Sequence, residues 1–190
     1  MSHPGQEHSG FVWLGGRPSL DFCNTRLGDR DLLVVRADLA RWFTEAGLTD
    51  QEPQVSAEEL EGSRRLREGL RNCLTNDECG ALAGLAETWL VDAPGHLCVE
   101  ANTLRPRFIP TKASARCLLV PVVLDALELA RDEPGRVREC AGPECPVLFE
   151  DTSRNHSRRW CSMEVCGARS KSAAYYRRSR GRCGDPPEST

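Results

Sequence analysis

The stretch "CAGPECPVLFEDTSRNHSRRWCSMEVC", residues 140–166, carries four cysteines in two pairs. Cys140 with Cys145 and Cys161 with Cys166 each form a C-x4-C pattern, and fifteen residues separate the pairs. Thiolates are soft ligands, and four of them make the closed tetrahedral site that zinc takes in structural centres. The pattern therefore predicts one structural zinc ion. An iron–sulfur cluster uses the same ligand type and is the main metal alternative, and free thiols are a second one.

The region around these cysteines is poor in apolar residues, so a separate fold of this size needs a staple such as a metal. Residues 136–182 hold eleven Arg or Lys and five Asp or Glu, a balance of +6, in a chain whose net charge is -3. The remainder therefore carries -9. This asymmetry predicts a module that faces a polyanion, joined to an acidic body.

Arginines with small polar neighbours fill "DTSRNHSRRW" between the two cysteine pairs, a mixture that suits phosphate contacts. Downstream, "ARSKSAAYYRRSRGR" predicts a helix with one basic face that could enter a major groove. A solvated basic helix is the alternative. The candidate nucleic-acid contacts are Arg154, Arg158, Arg159, Arg169, Lys171, Arg177 and Arg178.

The N-terminal part shows helical periodicity in three segments. "VVRADLARWFTEAGL" predicts a helix over residues 37–46, and Ser56 with Glu59 predicts a capping box at the start of a second helix. The second helix carries an apolar stripe of Leu60, Leu66, Leu70 and Leu74. "DECGALAGLAETWL" predicts a third. "HLCVEANTLRPRFIP" then predicts a β-hairpin, and "TKASARCLLVPVVLDALELA" returns to helix with a kink at Pro121.

These patterns predict an α+β protein. A mostly helical N-terminal domain with a small β-hairpin is followed by a small four-cysteine zinc finger, built of two knuckles and a C-terminal helix. The expected boundaries are a disordered lead over residues 1–10, the helical domain over 11–135, the finger over 136–182 and a disordered tail over 183–190.

Two motifs resemble a known family. "CAGPECPVLFEDTSRNHSRRWCSMEVCGARSKSAAYYRR" resembles the CGNR zinc finger, and "GGRPSLDFCNT" resembles the start of the ABATE domain, which precedes that finger in bacterial proteins described as stress-induced transcription regulators. The resemblance implies zinc at the four cysteines and double-stranded DNA as partner. The Asn of the CGNR signature is Ala168 here, which puts a helix cap or base contact at that position in doubt.

The segment "GGRPSLDFCNTR" contains Arg17, Asp21 and Asn24, which could line a pocket for a small polar effector. The alternative is that they cap turns and pair with each other. No Ser-His-Asp or Cys-His arrangement suitable for catalysis is visible in the sequence, so we do not expect an enzyme.

The first residues lack the pattern of a signal peptide, and the most apolar segment, of fourteen residues, contains a proline and two acids. We therefore expect a cytoplasmic protein without a membrane span. The leading hypothesis is a zinc-finger DNA-binding transcription regulator, responsive to stress, whose N-terminal domain senses an effector or forms a homodimer. The alternative is a zinc-stapled adaptor that binds protein or RNA without sequence-specific DNA readout.

Overall fold

The computed structural model describes residues 7–8, 10–101, 104 and 106–173 of the chain. A π-helix at Met163–Gly167 continues as helical backbone over residues 168–173. The six α-helices of the described part are α1 Pro18–Cys23, α2 Arg36–Glu45, α3 Ala57–Thr75, α4 Cys79–Leu90, α5 Ala115–Leu118 and α6 Val120–Asp132. Its strands form four two-stranded antiparallel sheets: β1 Glu7–His8 with β2 Phe11–Val12, β3 Arg26–Leu27 with β4 Arg30–Asp31, β5 Gly95–Val99 with β6 Pro106–Pro110, and β7 Val137–Glu139 with β8 Leu148–Glu150.

The predicted capping box closes the start of α3. The Glu59 N–H donates to Ser56 Oγ at 3.1 Å, and the Ser56 N–H donates to Glu59 Oε2 at 2.9 Å. These two bonds satisfy amide groups that a helix start leaves without partners. The apolar stripe that the sequence predicts for this helix is buried, as expected, at Leu60, Leu66, Leu70 and Leu74.

Helix α1 lies at the centre of the molecule. Pro18 occupies its first turn, where a proline loses no helical hydrogen bond. Phe22 packs against the fully buried Trp42 of α2 with ring centroids 5.0 Å apart, and Trp13 stacks on the same ring at 6.0 Å. The helix also contacts α3, α6 and strand β8, so it connects the helical core to the C-terminal hairpin.

The predicted β-hairpin is present as β5 and β6. The segment expected as one helix kinked at Pro121 is two helices, because the chain breaks at Leu119 between α5 and α6. Pro121 then lies in the first turn of α6, where its missing N–H costs no hydrogen bond. The predicted fold class, a helical α+β domain followed by a four-cysteine finger, is confirmed.

Candidate metal centre and its basic surround

The four cysteines of residues 140–166 converge on one point. Their sulfur atoms all lie within 4.8 Å of one another, and each of the four residues is at least nine-tenths buried. The Cys145 and Cys161 sulfurs are 3.7 Å apart, and those of Cys161 and Cys166 are 3.8 Å apart. A tetrahedron with zinc–sulfur bonds of about 2.3 Å has sulfur–sulfur edges of about 3.8 Å. The residues therefore fit one structural zinc ion, held by four thiolates with no open coordination position.

The first cysteine pair sits on the hairpin of β7 and β8. The Cys140 N–H donates to the carbonyl of Val147 at 2.9 Å, which holds the turn between the two strands closed. Gly142 lies inside this turn, and a Cβ there would come within 3.0 Å of the Cys166 sulfur. Only glycine therefore lets this turn approach the second pair so closely.

The second pair is held by a helical turn. The Val165 N–H donates to Ser162 Oγ at 3.3 Å, and the Cys166 N–H donates to the Ser162 carbonyl at 3.0 Å. The π-helix then continues into helical backbone at Ala168, whose side chain is exposed. The loss of a helix cap or a base contact at this position, where the CGNR signature has Asn, stays a prediction.

The local field favours the ionised form of one sulfur. Hydrogen bonds from the thiols of Cys145 and Cys161 lower the pKa of Cys140. The backbone N–H groups of Cys161 and Gly142 also donate to this sulfur, at 3.3 and 3.4 Å. Zinc binds the thiolate, and the two backbone N–H groups can still donate when the other three thiols are ionised, so they stabilise the form of Cys140 that a metal needs.

The Arg158 side chain makes its contacts within the finger. Its guanidinium donates to the carbonyls of Trp160 and Cys161 and lies 4.8 Å from the centre of the buried Phe149 ring. The Arg158 N–H also donates to the buried carboxylate of Asp151 at 3.1 Å. This arginine thus connects β8 to the second cysteine pair.

Arg159, the next residue, is exposed and faces a different surface. Its guanidinium lies 5.4 Å from the centre of the Trp160 ring, at the wall of a cleft of about 470 Å³. The Trp160 indole N–H donates to Ser170 Oγ at 3.1 Å, so the hydroxyl proton of Ser170 is left to donate elsewhere. We call this the basic cleft; the described residues that line it are Ala141, Pro143, Arg159, Trp160, Ser170, Lys171 and Ala173.

The other predicted nucleic-acid contacts fall into two groups. Arg154, Arg169 and Lys171 are exposed on the finger. Arg177 and Arg178 lie outside the described residues. Their role in binding nucleic acid stays a prediction for all of them.

The three residues predicted to line an effector pocket make internal contacts. Arg17 Nε lies 2.9 Å from the carboxylate of Asp125 in α6. The Asp21 carboxylate accepts the Gly15 N–H at 2.7 Å, and burial raises the pKa of Asp21 from 3.8 to about 6, although this hydrogen bond acts to lower it. An effector role for Arg17, Asp21 and Asn24 stays a prediction.

Asn24 is fully buried and joins the helical body to the finger. Its amide nitrogen donates to the Leu148 carbonyl at 2.9 Å, and its amide oxygen accepts the Leu148 N–H at 2.8 Å. The side chain thus replaces the missing neighbour strand of β8. Sequence reasoning missed this role because the two residues are 124 positions apart and no spacing signals their contact.

Further contacts extend the same junction. The Glu150 N–H donates to the Gly15 carbonyl at 2.9 Å. Arg71 of α3 donates to the carbonyl of Pro146 and to the carboxylate of Glu139, both at 3.1 Å. We call these contacts, with those of Asn24, the junction.

Comparison with known families agrees with this geometry. The ABATE family model, described as "Putative stress-induced transcription regulator", matches residues 16–133. The CGNR zinc finger model matches residues 136–179. Comparison with curated proteins gives no match. The two matched families are of regulator and zinc-finger type, and in the described residues every helix is too short or too polar to cross a bilayer.

Proposed function

Because the chain belongs to the ABATE family and its C-terminal part matches the CGNR zinc finger, we propose that it is a zinc-dependent transcription regulator that binds double-stranded DNA through this finger. We further propose that it acts in the cytoplasm and responds to stress. The observation that carries the DNA-binding proposal is the basic cleft beside the metal centre.

The basic cleft has the chemistry that a DNA backbone needs. Arg159 and Lys171 supply two exposed cations on its walls, and Ser170 supplies a hydroxyl donor. The described residues that line it include no carboxylate. Phosphate oxygens take hydrogen bonds and charge from this set, and such contacts fix the register of a protein on the duplex.

In this proposal Arg158 and Arg159 have different roles. Arg158 holds the second cysteine pair to β8 and has its guanidinium over Phe149, so it serves the fold of the finger. Arg159 presents its charge to the cleft and serves DNA. Since these two residues are adjacent and of the same type, they provide a matched pair of variants.

An effector bound to the helical body would act on the finger through the junction. Asn24 and Gly15 belong to the segment 15–24, which carries the start of the ABATE resemblance, and both bond to β8. A shift of α1 would therefore move the strand that follows the first cysteine pair. This contact supports the proposal that the N-terminal domain controls the finger.

The test is binding of the zinc-loaded protein to duplex DNA from its own upstream region, against a scrambled duplex, across a salt series. We expect a preference for the native duplex that survives physiological salt and is lost with a chelator. Arg159→Ala and Lys171→Ala should each weaken binding and reduce the salt slope by about one, since each removes about one phosphate contact.

Arg158→Ala, at the residue next to Arg159, is the control. This variant should lower the stability of the finger and its affinity for zinc. A change in the salt slope without these two losses is not expected. Equal, weak and salt-sensitive binding to both duplexes would contradict sequence-selective regulation and would favour the adaptor that binds protein or RNA. An unchanged salt slope in Arg159→Ala would place the DNA outside the basic cleft.

A further inference from the structure

The hairpin of β5 and β6 carries apolar side chains into solvent. Leu97 is 63% exposed and Val99 is 66% exposed. The register pairs Leu97 with Phe108 and Val99 with Pro106, so these four side chains lie on one face of the hairpin. The Phe108 ring crosses this face to lie against Gly95, where a Cβ would clash with it.

One edge of this hairpin is open. The Thr111 N–H donates to the Pro94 carbonyl at 3.1 Å, which makes this a hydrogen-bonded pair. Bonded and non-bonded pairs alternate along an antiparallel ladder, so the N–H and C=O groups of Gly95, Leu97 and Val99 point away from β6. Among the described residues β5 pairs with β6 alone, and these groups form its outer edge.

The opposite edge is closed. Pro106 and Pro110 begin and end β6 at positions whose N–H would point outward, and proline has no N–H to offer. Proline is one of the devices that protect an edge strand from further pairing, and charged side chains are another. Strand β5, with the sequence GHLCV, has neither device.

We propose that a second copy of this chain pairs with β5, so that two hairpins join into one four-stranded antiparallel sheet. A two-fold axis at Leu97 would place Leu97 against Leu97 of the partner subunit and Gly95 against Val99 of the partner subunit. The outward N–H groups of each copy would then face the outward C=O groups of the other copy, since an antiparallel strand edge is complementary to itself.

The chemistry of the edge favours a second copy over another partner. The strand carries no charged residue, so two copies meet without like-charge repulsion, and the side chain of Leu97 would gain an apolar neighbour on its open side. On its β6 side the hairpin already packs against α6, so the outer edge of β5 is the side on which a further strand can add. This interface does not depend on DNA binding.

The test is sedimentation equilibrium of the zinc-loaded full chain over a dilution series. We expect a species of twice the 21.1 kDa chain mass that dissociates on dilution. Leu97→Asp places two carboxylates opposite each other at the axis and should weaken the dimer by at least about 100-fold. Leu97→Pro removes an outward N–H and should also dissociate the dimer, without breaking a bond to β6.

Val34→Asp is the matched control, because Val34 is also 63% exposed but lies just before α2. It should leave the dimer intact. In the wild type, amide exchange at Leu97 and Val99 should slow as the concentration rises. A mass of 21.1 kDa at every concentration would overturn the proposal, as would a dimer that both Leu97 variants leave unchanged.

Discussion

The helical body and the zinc finger differ in what holds them together. The body buries a continuous apolar cluster to which all six helices contribute, with Trp42 and Phe22 near its centre. The buried cluster of the finger contains the four cysteines with Val147 and Phe149, and the half-buried Trp160 and Val165 pack against it. Val12 of β2 completes it from the body side.

This difference determines how each region would lose stability. Apolar burial is spread over many contacts, so the loss of one contact weakens a core by a few kcal/mol. A metal centre concentrates the stability of a small fold in four bonds. The junction at Asn24 consists of a few hydrogen bonds between the two regions. Loss of one of them should therefore cost less stability than loss of the metal.

The largest effect is expected from loss of the metal. Cys161→Ser or a chelator should unfold residues 136–173 and leave α2, α3 and α4 intact, because structural zinc in finger peptides binds with about 10–16 kcal/mol and this energy is folding energy. Hydrogen exchange resolved by segment measures both regions at once. Cys79→Ser, at an exposed position outside the centre, is the control and should change neither.

Equal loss of protection in the body and the finger would contradict this separation of the two regions. It would show that the body depends on the finger for its own stability. Undiminished protection of residues 136–173 without zinc would show instead that apolar packing alone holds the finger.

A smaller effect is expected at the junction. Asn24→Ala leaves the N–H and C=O of Leu148 buried without partners, which costs roughly 2–6 kcal/mol at about 1–3 kcal/mol for each group. Urea unfolding of the zinc-loaded chain should show this loss together with earlier exchange of β8. Asn155→Ala, on an exposed loop of the finger, should leave the midpoint unchanged.

If Asn24→Ala lowered the stability of the body but left the exchange of β8 unchanged, the coupling of the two regions through this amide would be wrong. The residue would then serve only the local packing of α1.

The smallest effect is expected from the carboxyl of Asp21. Its pKa of about 6 in the folded chain lies above the ordinary 3.8, so the folded state holds the proton more tightly than the unfolded state. The free energy of unfolding should therefore fall as the pH rises from about 4 to about 6. Asp21→Asn keeps an acceptor for the Gly15 N–H and should raise stability at pH 7 by up to about 3 kcal/mol.

Thermal unfolding between pH 4 and pH 8 measures this dependence, and Asp29→Asn, at an exposed position, is the control. A pH profile of Asp21→Asn that is parallel to the wild-type profile would show that this carboxyl titrates normally in the folded chain.

The sequence predicted those features that depend on near neighbours along the chain. The capping box of Ser56 and Glu59, the apolar stripe of α3 and the hairpin of β5 and β6 all rest on short-range patterns, and the structure contains them. Helix α1 depends on more than such patterns, since Leu20, Phe22 and Cys23 of this short helix are buried in the core cluster.

Long-range contacts decided the features that the sequence could not predict. Arg67 lies on the charged-looking stretch of α3, yet it is 1% exposed and bonds to both oxygens of Asp31 at 2.7 Å. The helical pattern alone predicts that this charge is solvated. Its burial is possible because Asp31 of β4, together with Glu68 and Thr25, binds the guanidinium. Arg158 and Arg159 likewise differ through long-range packing, since the Arg158 guanidinium lies over Phe149 of β8 whereas that of Arg159 lies over Trp160 at the basic cleft.

The sequence by itself determined the metal ligands and the division into a helical body and a finger, because ligand type, spacing and helical period are local properties. The tertiary structure alone decided that Asn24 bonds to Leu148, that one arginine of an adjacent pair faces the basic cleft, and that β5 keeps an open edge. Each of these depends on which segments come together in space, and burial and hydrogen-bond partners exist only after the chain has packed.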